Sequence, residues 1–288
     1  MKISKRIGII GNGFVGSAVR YGFSPNVGID AEVRVYDKDP NKSTHPLRDV
    51  LDTDIIFLSV PTPSNSDGSM NIDIVDNVLQ NINEYAQLFQ IGIILLRSTV
   101  TPGTTRKLQE KYKDLRIVFN PEFLTERSAN FDFINQSRFI LGGNSDNVVE
   151  VSELFRERFG STLSIIETNY ETAEMIKYMT NTFFATKISF LNDMKLLADK
   201  CGVIWKDAIE GFVRDGRVGH SHLDVPGHDG KYGFGGSCFP KDIQAMINFG
   251  SERGVDMEVL KGVWNTNLKV RPEKDWEKLK GRAVVDDK

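Results

Sequence analysis

Cysteine is scarce in this chain: Cys201 and Cys238 are the only two in 288 residues. Two thiols in a chain of this size argue against a disulfide framework and fit a reducing compartment, where a thiol stays available. Long apolar runs are missing as well. The longest, "IGIILL" at 91–96, falls far short of the ~20 residues a membrane span requires, and the N-terminus enters a strand-like pattern too early for a secretory signal. Neither sign of charge is in excess, since 36 Lys and Arg stand against 39 Asp and Glu. Without a basic stripe, nucleic acids and anionic membranes are disfavoured as partners. These absences point to a soluble, cytoplasmic protein with enough chain for one large domain or two ordinary ones.

What is present alternates. The β-rich runs "RIGII", "EVRVY", "DIIFLSV", "IGIILLRS", "LRIVF", "RFILGG" and "LSIIE" recur at spacings that leave room for crossover helices. Continuous apolar strands of this kind suit a mainly parallel sheet covered on both faces. The expected fold class is therefore α/β, a doubly wound Rossmann-type sheet over residues 1–167. From Tyr170 to Lys200 no Gly or Pro interrupts a helical pattern, so a helical central domain with one long helix is expected over 168–270. Glycines, three histidines and Pro226 crowd between Gly211 and Gly236 and read as a long loop. A further helical pattern runs from Asp242 toward Leu268, and 271–288 reads as a charged, partly loose tail.

"GNGFVG" at 11–16 follows the first strand directly and opens a helix. Gly11, Gly13 and Gly16, with Phe14 and Val15 between them, sit where a tight turn must let backbone approach a pyrophosphate. Such a triplet alone is a weak signal. Here the next strand ends in Asp37, about twenty residues on, where a carboxylate accepts hydrogen bonds from a ribose and repels a 2′-phosphate. NAD is thus favoured over NADP, although Lys38 weakens the preference. At the ends of later strands, "SVPTP" (59–63) and "RSTVTPGT" (97–104) put Pro61, Thr62 and Thr99 where a sheet of this kind lines the nicotinamide end of its cofactor. Bland loops have the same composition.

Oxidation of an alcohol needs a base and donors for a developing oxyanion. On the long helix, Lys177 and Asn181 are four apart, on a face continued by Ala173, Phe184, Ile188 and Leu191. They either snorkel at its edge or point into a site. Glu122 and Glu126 in "NPEFLTERSA" are also four apart, either on a solvated helical turn or on a constrained loop at a strand's carboxyl end. Cys238, in "KYGFGGSCFPKDI", is either a small buried residue or a nucleophile. Its glycine flanks, Pro240, and the charges of Lys241 and Asp242 favour the second. Cys201, in "LLADKCGV", has none of these and reads as a helix-end core residue. His220, His222 and His228 lack acidic partners at the spacing a zinc site uses, so no metal is expected.

Taken in order, "GNGFVG", "STVTPGTT", "NPEFLTERSANFDF", the Lys177 to Asn181 helix and "GFGGSCFPKD" resemble the UDP-glucose and GDP-mannose dehydrogenase family over residues 1 to about 270. The resemblance implies an NAD-dependent four-electron oxidation of a nucleotide sugar's C6 alcohol to a carboxylate, as from UDP-glucose to UDP-glucuronate. It implies that Cys238 attacks the aldehyde, that Asp242 helps activate water with Glu122 and Thr99 around it, and that Lys177 and Asn181 stabilise oxyanions. Glu126 would lie near the cofactor, and Phe123, Leu124, Phe234 and Gly235 would hold the substrate, with the "FLTE" amides on the sugar nucleotide. Arg217 would reach across a homodimer formed by the long helix. Two simpler readings remain open beside it, a two-electron β-hydroxyacid-type dehydrogenase and a non-catalytic NAD-binding subunit. Family members carry a further doubly wound, nucleotide-sugar-binding domain, and no strand-helix alternation follows Trp264 here.

Overall fold

All seven apolar runs form strands. A computed structural model, describing residues 1–286, gives the order β1 (Ile7–Ile10), α1 (Phe14–Gly22), β2 (Val33–Tyr36), α2 (Leu47–Leu51), β3 (Ile55–Leu58), α3 (Asp73–Ala86) and β4 (Ile93–Leu96). There follow α4 (Thr104–Lys111), β5 (Ile117–Phe119), α5 (Ala129–Ile134), β6 (Arg138–Gly143), α6 (Ser145–Phe159) and β7 (Ser164–Thr168). The strands make one sheet in the order β2-β1-β3-β4-β5-β6-β7. Because β2 and β3 flank β1, the strand order reverses there, and the carboxyl ends of β1 and β3 are the switch point at which sheets of this kind bind ligands. One pairing departs from the parallel expectation: β6 runs antiparallel to β5, with Val118 opposite Gly143.

Strand alternation sorts the apolar residues onto two faces. Ile7, Ile9, Ile55, Phe57, Ile93 and Leu95 meet residues of α1, α5 and α6, whereas Ile10, Ile56, Leu58, Ile94 and Leu96 meet those of α2, α3 and α4. With both faces covered, β1, β3 and β4 are buried at every position, which is why they read as unbroken apolar runs.

The chain divides into two compact units: residues 1–62 with 72–177, and 63–71 with 178 onward. The division expected at 167/168 falls ten residues later, inside α7 (Tyr170–Lys200). The physical reason is that Tyr170 and Ala173, in the first turns of α7, are buried in the sheet's own core, with Ala173 packed against Gly142. The second unit holds the rest of α7, then α8 (Trp205–Val213), α9 (Phe239–Glu252) and α10 (Glu258–Val270). Its core is formed by Tyr178, Ala185, Phe234, Ile243, Met246 and Val263, among others. The single helical pattern expected after Asp242 is two helices, broken where Gly254 takes a φ of 72°. As expected, 214–238 is a long loop.

The tail expectation is corrected. Arg271, Trp276 and Ala283 are buried, Trp276 lies 5.4 Å from Trp264 between ring centroids, and Val284 bridges to Ser64. Dense charge hid a folded segment that buries Trp276 and Ala283 among its charged residues. Among the described residues no helix is long and apolar enough to cross a membrane.

Phe57 is fully buried, 5.8 Å from the ring of Phe23 and 6.3 Å from that of Phe155. Phe57→Ala should lower unfolding stability by about 3–5 kcal/mol, read by urea denaturation as a lower midpoint at unchanged slope.

Candidate functional site

In the first unit the glycine turn after β1 has three distinct environments. A Cβ at Gly11, whose φ is 89°, would strike the Ser59 carbonyl, and one at Gly16 would strike the Gly11 carbonyl. These two glycines pack the turn against β3 and α1. Gly13 is exposed and has nothing within 4 Å of where a Cβ would stand, so its backbone is open to a ligand. Phe14 and Val15 start α1 and pack against the sheet core. Asp37 follows β2, and its carboxylate accepts from the amides of Asn12 (2.7 Å) and Asp39 (2.9 Å). The acidic group is thereby fixed beside the turn. Thr62 is buried and donates to the Thr99 carbonyl at 2.8 Å; Thr99 is buried as well, while Pro61 is exposed. Open backbone at a helix start with a carboxylate beside it fits a dinucleotide.

A second cluster lies at the carboxyl ends of β4 and β5. Lys177 is only 2% exposed; its Nζ donates to the Glu122 carbonyl and pairs with Glu122 Oε1 at 3.3 Å. The ammonium points inward and does not snorkel. Glu122 is buried too, which removes the solvated-turn reading for it, whereas Glu126 is exposed on a 3-10 turn. Glu122 Oε2 accepts from the Leu124 amide at 2.8 Å and Asp132 accepts from the Thr125 amide at 2.8 Å. Two of the "FLTE" amides expected on a sugar nucleotide are thus engaged by carboxylates of the chain itself. Leu124 is buried, and the Phe123 ring has Lys177 Nζ 5.2 Å and the Arg138 guanidinium 4.8 Å from its centroid.

Arg97, which the sequence reading passed over, directly follows β4 at 1% exposure. Its Nη1 donates to Asn120 Oδ1, and its guanidinium lies 5.9 Å from the ring centre of Phe57 and 5.8 Å from that of Phe133. Burial pushes its pKa down to about 10 against the opposing charge of Glu122, so it stays cationic at neutral pH. The signal available in the sequence was a charged residue ending an otherwise apolar strand. Glu174, also passed over, accepts from the amides of Gly103 (2.6 Å) and Thr105 (2.7 Å). It caps α4 from α7 and satisfies two of the donors that every helix start leaves open.

In the second unit Cys238 is the residue immediately before α9, partly exposed, with Phe239 and Pro240 as the first helical positions. Proline is well placed there because it lacks only an amide proton the helix does not use. Asp242 has no exposure; Asn181 Nδ2 donates to its Oδ2 and Lys241 Nζ to its Oδ1, both at 2.6 Å. The Phe234 ring lies in the unit's core, Gly235 is partly buried, and Arg217 is exposed and paired with Asp215 at 2.5 Å. The expectation for Cys201 is corrected: it is exposed, because the chain leaves α7 there and turns at Gly202, where φ is 68°. Among the described residues no group of three His, Cys, Asp or Glu is placed to hold a metal.

The first unit is that of a dinucleotide-binding protein, joined to an all-helical unit that presents a thiol at a helix head. Comparison with known proteins sharpens this class. The NAD-binding domain of the UDP-glucose/GDP-mannose dehydrogenase family matches residues 41–159, and the family's central domain matches 171–269. The chain belongs to this family. It is 36% identical to the UDP-glucose 6-dehydrogenase of Rickettsia prowazekii over 81% of this chain and 55% of that protein. To the UDP-glucose 6-dehydrogenase AglM of Haloferax volcanii it is 31% identical, over 98% of this chain and 74% of that one. Its structure is similar to a UDP-glucose dehydrogenase from Pyrobaculum islandicum, with a TM-score of 0.80 and 27% identity over 92% of this chain and 68% of the other. The chain thus spans about half the length of the Rickettsia relative.

Burial pushes the Glu174 carboxyl up to about 7, against the hydrogen bonds from Thr105 and Gly103 that favour its charge. With a folded pKa above the unfolded one, the folded state holds the proton longer, so stability falls as pH rises from ordinary carboxylate values toward 7. Thermal unfolding between pH 5 and pH 8 should show this fall (a window of about 3 units), and Glu174→Gln should flatten it.

Proposed function

We propose that this chain oxidises the C6 alcohol of a nucleotide sugar to the carboxylate in two NAD-linked steps joined by a covalent stage on Cys238. The observation that carries the reading is the setting of that thiol. It stands at the amide end of α9, four residues before a fully buried Asp242 whose two oxygens are gripped by Asn181 and Lys241. A core cysteine requires no such surroundings.

Bound at Gly11–Gly16 with its ribose on Asp37, and with Thr62, Thr99 and Glu126 at its other end, NAD would accept one hydride at each oxidation. Asp37 favours it over NADP by repelling a 2′-phosphate. In the first oxidation the alcohol gives up C–H as hydride and O–H as a proton, and Lys177 or Asn181 donates to the developing oxyanion. Each good donor of this kind contributes about 3 kcal/mol. The sulfur then adds to the aldehyde carbon, and the resulting thiohemiacetal keeps the aldehyde from leaving. Loss of its hydride gives a thioester. Water, oriented by Asp242 with Glu122 and Thr99, cleaves that to carboxylate and free thiol. The sum is one alcohol, two NAD and one water giving one carboxylate, two NADH and three protons. UDP-glucose is the substrate we favour, since the relatives named above act on it. Phe123, Leu124, Phe234 and Gly235 would frame it.

We also infer a homodimer. Met179, Phe183, Phe190, Met194 and Leu197 form an exposed apolar stripe along α7 at helical spacing, and a second copy of the helix would cover it. Arg217, exposed on the loop after α8, would then reach the partner's substrate. Two thiols outside any disulfide suit the cytoplasm.

Incubation with a panel of UDP- and GDP-sugars should yield two NADH per sugar consumed. A yield of one would replace the scheme by a simple alcohol dehydrogenase, and cofactor binding without turnover of any sugar would leave a binding subunit. Cys238→Ser should abolish acid formation, by at least about a hundredfold, while NAD binding measured by calorimetry survives. Phe183→Asp should convert the dimer to monomer in sedimentation velocity.

A further inference from the structure

The sulfur at residue 238 follows Gly233, Gly235 and Gly236. Three glycines in four positions give the segment almost no side chains with which to hold itself, and glycine loses more freedom on ordering than any other residue. Something else must fix it. Asn267, on α10 and without exposure, answers the backbone of Phe234 on both sides: its Oδ1 accepts from the Phe234 amide at 2.7 Å and its Nδ2 donates to the Phe234 carbonyl at 3.0 Å. A side-chain amide is the one neutral group that matches a peptide's donor and acceptor together.

The hold extends from there in both directions. Toward the thiol, the Phe234 ring meets the Phe239 ring edge-on at 6.2 Å, and Phe239 is bonded directly to Cys238. Arg271, one turn beyond Asn267, serves both sides: its Nη1 donates to the Tyr232 carbonyl at 3.4 Å, and it packs under Gly235 so closely that a Cβ there would come within 2.6 Å of the guanidinium. Arg271 is itself buried and pinned by Asp229 at 2.6 Å and Asp275 at 2.7 Å.

We propose that Asn267 is a positioning residue for Cys238: with Arg271 beneath it, it clamps the glycine segment so that the sulfur is presented at the head of α9 in one orientation. This rests on the reading of Cys238 as a nucleophile, but its consequence is measurable on the sulfur alone. Cys201, exposed in the same molecule, serves as the internal reference.

The test is iodoacetamide alkylation of the full chain over a pH series, with the two cysteines followed separately by mass spectrometry. In Asn267→Ala the ratio of Cys238 to Cys201 rates should change by about threefold or more, and the pH midpoint of Cys238 should move by about half a unit. Cys201 should stay as in the wild type. Asp275→Asn, which loosens Arg271 from the partly exposed side and spares the core, should move the same readouts less in the same direction. It decides the matter should Asn267→Ala fail to fold. If a folded variant of each kind keeps the wild-type ratio and midpoint, the clamp does not position the sulfur, and this holds even where the wild type oxidises nucleotide sugars. If instead the ratio moves but no nucleotide sugar is oxidised, the positioning role stands and the proposed reaction falls.

Discussion

A lysine ammonium taken out of water must be answered by charge and by acceptors, and the first unit is arranged around one such demand. Lys177 meets the carboxylate and the carbonyl of a single residue, Glu122. Desolvating an ion costs several kcal/mol even after relaxation, and removing one partner of a buried pair is far more damaging than the net worth of the pair suggests, about 3–5 kcal/mol. The start of α7 is therefore held in register with the end of β5. Glu174, one turn earlier, adds the α4 cap, and Tyr170 donates its hydroxyl to the Ile117 carbonyl at 2.8 Å. Successive turns at the start of one helix thus fasten the start of β5, the head of α4 and the loop after β5.

The polar groups that these anchors collect are unequal in charge. Around Glu122 stand two cations, Lys177 and Arg97, both nearly without exposure. Among the described residues the Arg97 guanidinium has one protein acceptor, Asn120, and its Nε and Nη2 find none. A local excess of positive charge away from water favours any species that becomes anionic beside it, since the interaction is screened far less than at the surface. In the second unit the arrangement is different: Asp242 accepts on both oxygens, from an ammonium and from an amide, so its orientation is fixed from two sides. The first cluster suits developing negative charge, the second a carboxylate that must keep one pose.

Legibility from sequence followed the physics of each element. Strands buried at every position announce themselves as apolar runs, so β1, β3, β4 and β5 were readable that way; β2 and β7, which are less buried, showed through their β-rich composition at a recurring spacing, and the glycine turn and its distant Asp37 were readable too. The unit boundary was not, because Tyr170 and Ala173 look equally helical whether they pack on a sheet or on helices. The segment after α10 misled because the average over 271–288 is charged while Trp276 and Ala283, which decide its burial, are isolated residues. Clusters built from groups far apart in the chain were invisible for a plain reason. Arg97 with Asn120, or Asn267 with Phe234, are neighbours only once the fold exists, and nothing in a polar residue's immediate surroundings says which backbone it will serve.

The two cysteines carry this point to its end. By residue type they are identical, and by composition either was eligible for chemistry. Cys201 follows the carbonyl end of α7 and faces solvent; Cys238 precedes the amide end of α9 and is partly covered. Helix ends differ in sign, the amide end attracting anions and the carbonyl end repelling them, so the fold gives opposite electrostatic settings to the same side chain. Exposure alone would have chosen Cys201. On the proposed reading the setting favours Cys238, because a sulfur serves as a nucleophile where its anion is welcomed, and the head of α9 offers that while the tail of α7 does not.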